Sequence, residues 1–189
     1  MQPRCFGCHK LTKSFATCKS CRSWLSAHSV TVAVPYEGFY KALLHAYKFG
    51  PGREAAEQIC HILSESFYVK VPDIICYIPT APSRIRQRGF DHAKVLTDQF
   101  CRKSGLPRVH SNALARHGNM RQLGATRSQR LRPMKQEIHL SKKVNVQGKT
   151  VLIIDDMITT GASISAAAHV LKKAGAKRVD ALIFAQKIT

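Results

Sequence analysis

An α/β fold on a parallel sheet, with a small zinc-ribbon-like module ahead of it, is predicted by three observations. Val151 to Ile154 is an unbroken apolar, β-branched run, and after a Thr-Thr-Gly turn Ile164, Ala167, Ala168 and Leu171 recur at helical spacing up to Gly175. A second strand-loop-helix pattern runs from Ile74 to Gly105. Two C-x2-C pairs, Cys5/Cys8 and Cys18/Cys21, are separated by nine residues near the N-terminus. A chain of 189 residues holds one α/β domain plus such a module, here divided at 1–27 and 28–189, and excludes a large multidomain enzyme.

Taken in order, the paired C-x2-C turns give four thiolates, the set for a closed tetrahedral Zn2+ site with no position left for substrate, so the metal is expected to be structural. Disulfides are the competing reading; without a signal peptide or a long apolar stretch the chain reads as cytosolic, which favours zinc. His9 is an alternative ligand beside the first pair. Ser23 to His28 reads as a short linker, and Val30 to Tyr36 alternates as a strand. Helices are expected at Phe39–Tyr47 and Arg53–Val69, and a strand at Ile74–Ile78. A loop from Pro79 to Ser83 and three arginines, Arg84, Arg86 and Arg88, precede a helix whose face is Phe90, Ala93, Leu96 and Phe100. Cys60, Cys76 and Cys101 sit in apolar surroundings and read as core. Tyr36, Tyr40, Tyr47 and the lone Trp24 read as packing residues, with base stacking the alternative.

Thirty Lys and Arg against eleven Asp and Glu give a net charge of +19, and the first 36 residues contain no acid. That excess exceeds the needs of a phosphorylated metabolite and points to nucleic acid or an anionic membrane surface. Residues 99–136 carry nine Lys or Arg and no carboxylate, a stretch that reads as phosphate-seeking or as a solvated basic loop.

The chemistry concentrates in residues 151–163, VLIIDDMITTGAS. Adjacent Asp155 and Asp156 at a strand's carboxyl end repel each other unless hydroxyls or a cation take up their lone pairs, and a ribose diol supplies hydroxyls. Thr159, Thr160, Gly161, Ala162 and Ser163 offer backbone N–H groups and three hydroxyls at a helix start, suited to a phosphate. Capping of an ordinary helix is the plain alternative. The pattern resembles the 5-phosphoribosyl 1-diphosphate (PRPP) signature of type I phosphoribosyltransferases, and so implies that parallel-sheet fold. In an open parallel sheet the Pro79–Ser83 loop converges on the same crevice, making Arg84 and Arg88 candidates for the diphosphate.

Together the C-x2-C pairs, Leu44-x3-Lys48-Phe49-Gly50, IPTAPSRIRQRGFDHA, RQLGATRSQRLR and VLIIDDMITTGAS resemble the ComF family of competence-associated proteins over almost the whole chain. The resemblance implies a zinc finger joined to a phosphoribosyltransferase domain, a cytosolic location at most peripheral to the inner membrane, and handling of incoming single-stranded DNA in natural transformation. A competence helicase or inner-membrane channel is the candidate partner. If the domain catalyses, a nitrogen nucleophile displaces diphosphate from C1 of PRPP, with Mg2+ bridging diphosphate and diol; Lys48 joins Arg84 and Arg88 as a diphosphate clamp. Gln122, Arg127 and Arg130 match the family pattern and, with Arg116, Arg121 and Arg132, are the candidate nucleic-acid contacts. Asp91 and Pro133 stand where the family usually has Asn. Two other readings are a nucleobase-salvage phosphoribosyltransferase and a non-catalytic PRPP sensor that binds nucleic acid.

Overall fold

Val151 to Ile154 has no polar face, and a strand of that kind needs cover on both sides. The computed structural model, which describes residues 3–13, 15–50, 53–67, 70–106, 113–116, 138–141 and 144–187, supplies it. After the cysteine module come β1 (Ser29–Pro35), α1 (Gly38–Phe49), α2 (Arg53–Glu65), β2 (Ile74–Tyr77), α3 (Pro82–Arg88), α4 (His92–Lys103), β3 (Leu114–Arg116), β4 (Ile138–Leu140), β5 (Thr150–Ile158), α5 (Ala162–Lys173) and β6 (Arg178–Gln186). The main sheet has the order β1-β6-β5-β2 and all its strands are parallel, while β3 and β4 form a separate antiparallel pair.

Side chains of β5 alternate between two apolar layers. Val151 and Ile153 pack with Ile164, Ala167 and Leu171 of α5 and with Leu114 and Ile138 of the β3/β4 pair. Leu152 and Ile154 pack with Leu44 of α1, Ile59 and Leu63 of α2, and Leu96 and Phe100 of α4. Phe6, Leu25 and Ala27 from the cysteine module join the first layer, so the segment read as a linker is anchored on the sheet. Cys60, Cys76 and Cys101 are buried, as expected.

Four local expectations change. Strand β5 continues to Ile158, so the acidic pair lies within the strand end and not after it. The helix expected to reach Val69 is assigned only to Glu65. Arg84, Arg86 and Arg88 ride on α3, not on an open loop: Pro82 occupies its first turn, where a missing N–H costs nothing, and Gly89 ends it with φ 82°. Strand β6, not among the expected elements, lies between β1 and β5.

Phe100 is fully buried and Phe39 is 65% exposed. Phe100→Ala should therefore cost about 3–5 kcal/mol in urea unfolding, whereas Phe39→Ala should stay within about 0.5 kcal/mol of the parent.

Candidate functional site

At the carboxyl end of β5 Asp156 is 4% exposed, and a carboxylate so placed requires cations or donors. Lys48, in the last turn of α1, forms an ion pair with its Oδ2, and His92 Nε2 lies 3.4 Å from the same oxygen. Arg88 at the end of α3 places NH1 2.9 Å from His92 Nδ1. The same NH1 lies 3.4 Å from His92 Nε2, so the guanidinium, which only donates, sits against both ring nitrogens. Tyr47 O–H donates to the His92 carbonyl at 2.5 Å, fixing the start of α4 against α1.

Asp91 caps α4 by accepting from Lys94 N at 3.3 Å, and its Oδ1 also accepts from Thr80 Oγ1 at 2.7 Å. Asp and Asn cap equally well, so Asp91 fills the local role of the usual Asn. His92, Thr80 and Tyr47 were absent from the sequence-derived site. Thr80 and His92 lie within IPTAPSRIRQRGFDHA and Tyr47 within the Leu44–Gly50 segment, but their roles arise from contacts far apart in sequence.

The two aspartates titrate in opposite directions. Burial pushes the Asp155 carboxyl well above its ordinary range, and the neighbouring Asp156 charge pushes it further. Burial also acts upward on Asp156, but the His92 hydrogen bond and the Lys48 charge outweigh it and hold Asp156 below the carboxylate range. The pair therefore titrates as a coupled unit, with Asp155 displaced upward and Asp156 downward. The Asp155 carboxyl in turn accepts the Asp156 backbone N–H at 2.9 Å.

Arg88 and Arg116 are both pulled below the ordinary guanidinium range by burial. Arg84, exposed on α3, adds repulsion to each, whereas Asp156 acts on Arg88 and Asp155 on Arg116 in the opposite sense. Arg116, grouped by sequence with the nucleic-acid contacts, thus stands in the field of the acidic pair. Arg88 also lies 4.9 Å over the Phe49 ring, and its Nε is buried without a hydrogen-bond partner. Such a group is a ready donor for an anionic ligand. Arg121, Gln122, Arg127, Arg130 and Arg132 lie outside the described residues, as does Pro133.

Beyond β5 the loop presents exposed Thr159 and Thr160, then buried Gly161 at φ 78° as the N-cap of α5. Thr160 Oγ1 accepts from Ala162 N at 3.4 Å, and Ser165 N donates to Gly161 O at 2.8 Å. Ala162 opens the first turn of α5, with Ser163 next to it.

The four cysteine sulfurs of Cys5, Cys8, Cys18 and Cys21 lie within 4.8 Å of one another, and Cys8 Sγ is 3.5 Å from Cys18 Sγ. A four-thiolate zinc tetrahedron with bonds near 2.3 Å has edges of about 3.8 Å, so this cluster fits a metal such as zinc. The Ser20 hydroxyl and the Cys21 backbone bring Cys18 down to about 6, whereas burial pushes Cys21 up to about 12. His9 is not part of the cluster.

Residues 85–189, over half of the chain, match the phosphoribosyl transferase domain. The chain belongs to that family. It is similar to competence protein ComFC of Bacillus subtilis, 26% identical over 89% of this chain and 71% of that protein. Competence protein F of Haemophilus influenzae is 22% identical over 93% of this chain and 87% of its own length. DNA utilization protein YhgH of Salmonella typhimurium is 27% identical over 73% of this chain and 63% of its own. Among solved structures, the allosteric regulatory enzyme of purine biosynthesis superposes with a TM-score of 0.51 at 17% identity, over 74% of this chain and 30% of that one, a likeness of fold. The expected ComF resemblance and type I phosphoribosyltransferase architecture are borne out. No helix among the described residues is long and apolar enough to cross a membrane.

In this phosphoribosyl transferase domain the acidic pair makes stability depend on pH in two opposite ways. Asp156, held low, contributes stability present above the unfolded value near 3.9 and lost as pH falls through its folded pKa. Asp155, held high, keeps its proton when folded, so stability declines as pH rises from about 4 through its folded pKa. Asp155→Asn, which mimics the protonated acid, should raise Tm at pH 7.5 and do so less at pH 4. Asp156→Asn should cost about 3 kcal/mol at pH 7.5 by leaving Lys48 buried and unpaired. Thermal unfolding at the two pH values checks both, and equal effects of the two variants would contradict the assignment.

Proposed function

We propose that the chain handles incoming single-stranded DNA on the cytosolic side during DNA uptake and carries a PRPP–Mg2+ site of the phosphoribosyltransferase type. The observation that carries this reading is the convergence of an acidic pair, two partly buried guanidinium groups and a hydroxyl-bearing loop at the carboxyl ends of β2 and β5. Asp155 and Asp156 hold the ribose diol. Thr159, Thr160, Gly161, Ala162 and Ser163 receive the 5′-phosphate, and Arg84 and Arg88 clamp the diphosphate, joined by Lys48 as the diol takes over its contact with Asp156. Arg116 offsets the charge of the acid pair at the same mouth. Mg2+, when bound, supplies Lewis-acid polarisation and a template for diphosphate and diol. If the domain turns over, the C1–O bond of PRPP breaks, diphosphate leaves with its electron pair, and a nitrogen nucleophile forms the new bond to C1. The protein then contributes orientation and charge complementarity, without a nucleophile of its own.

The DNA half of the proposal is supported by the net charge of +19 and by relatives named for competence and DNA utilization. Arg121, Gln122, Arg127, Arg130 and Arg132 are its proposed contacts, and a competence helicase or inner-membrane channel its proposed protein partner. The cysteine cluster holds structural zinc.

Calorimetry with PRPP and Mg2+ should give saturable binding that Asp155→Ala/Asp156→Ala abolishes without unfolding the chain; unchanged binding would refute the site. Single-stranded DNA affinity should fall about 100-fold between 50 and 200 mM salt if roughly five phosphates are contacted. Elemental analysis should find about one zinc per chain. Absence of DNA affinity in dilute buffer, or of zinc in freshly purified protein, would remove the corresponding half of the proposal.

A further inference from the structure

The cysteine module does more than precede the domain. Gly161, central to the phosphate loop, is covered by it: a Cβ there would come within 2.8 Å of Phe6 Cε1 and 3.6 Å of Trp24 Cζ3. Phe6 follows Cys5 and Trp24 follows the second cysteine pair, so both rings are placed by the turns that converge at the metal cluster. Gly7, inside the first C-x2-C turn, is held as tightly, since a Cβ there would lie 2.7 Å from Trp24 Cζ2 and 2.8 Å from Cys21 Sγ. Ser165 in α5 donates its hydroxyl to the Trp24 carbonyl, locking the module to the helix behind the loop.

Between module and loop lies a cavity of about 190 Å3, whose walls include Phe6, Trp24, His9, Thr159, Thr160 and Lys187. No carboxylate lines it among the described residues. Its size is below the roughly 300–1,000 Å3 of a whole small-molecule site and suits one anionic group with a few waters. His9 adopts φ 58° to close the first cysteine turn, and its N–H donates to Cys5 O at 2.8 Å, so the metal-binding turn itself carries this imidazole to the cavity. Lys187 arrives from the far side, tethered by its N–H to Ile158 O at 3.0 Å.

We propose that the cysteine module is the second wall of the phosphate pocket: Phe6 and Trp24 hold the Thr159–Ser163 loop in shape, His9 and Lys187 are further ligands of the phosphomonoester, and metal loading sets its affinity. This rests on the PRPP-site reading above and adds to it a role for residues outside the domain's own loop. Phosphate held only by the loop would have one face open to water. A second wall with a cation and an N–H donor adds charge-assisted contacts on that face.

Trp24 is the chain's single tryptophan, which makes the wall observable. Titrating ribose 5-phosphate into metal-loaded protein should change Trp24 emission with the Kd found by calorimetry, while ribose at equal concentration should leave it unchanged. Lys187→Gln and His9→Asn, the latter chosen because Asn tolerates positive φ, should each weaken ribose 5-phosphate about fivefold to tenfold with Tm unchanged. Lys187→Arg should restore affinity. Chelation of the metal should weaken binding at least tenfold while far-UV circular dichroism retains the sheet and helices. Saturable calorimetric binding with silent emission, or variants and chelated protein within twofold of the parent, would overturn the wall and leave the PRPP site standing. No calorimetric binding by the metal-loaded parent would overturn both.

Discussion

A carboxylate sealed inside a protein must bring its counterions with it, and around Asp156 that requirement organises the rest of the site. Lys48 reaches it from α1 and His92 from α4, while Arg88 of α3 packs its guanidinium against the His92 ring. Two helices thus meet at one oxygen atom at the tip of β5, and a third braces the imidazole. Burial and the Asp156 charge push Asp155 upward while Lys48 and His92 hold Asp156 down, so the two carboxyls differ in their readiness to keep a proton. A buried ion pair of this kind is a poor source of stability compared with an apolar substitute.

The sheet explains where that tip lies. With α1, α2 and α4 on one face and α5 with the β3/β4 pair on the other, the carboxyl ends of the parallel strands are where loops of neighbouring strands meet. Strand β5 and helix α5 were legible in the sequence because an unbroken apolar run, a glycine turn and a helical period stand in succession. Strand β6 was not: Arg178 and Asp180 interrupt its apolar pattern, and Asp180 is buried only because Ser29 Oγ and Arg178 Nε bond it at 2.5 and 2.6 Å. Helix α3, at seven residues, is too short for its period to show. Within the site, the acidic pair, phosphate loop and Lys48 were legible as motif residues. His92 lies within the IPTAPSRIRQRGFDHA segment, but its contact with a strand end 64 positions away in the chain is not encoded in local spacing.

The cysteine module changes meaning once it is seen in place. As a sequence it is a self-contained metal knuckle; in the fold its Phe6, Leu25 and Ala27 complete a core layer, and its Trp24 rests on the turn that opens α5. The cysteine cluster, a core layer and the Thr159–Ser163 loop thereby share one set of contacts. Part of the positive charge lies in the guanidinium groups around the acid pair, and part in the basic segment between β3 and β4 that lies outside the described residues.

The central claim, that the acid pair grips a vicinal diol, is tested most directly by comparing ribose 5-phosphate with 2-deoxyribose 5-phosphate in the same calorimetric titration. Loss of one hydroxyl bonded to a charged group removes about 1.5–3 kcal/mol, so the deoxy sugar should bind at least tenfold more weakly while its phosphate contacts remain. Equal affinity for the two sugars would contradict the account.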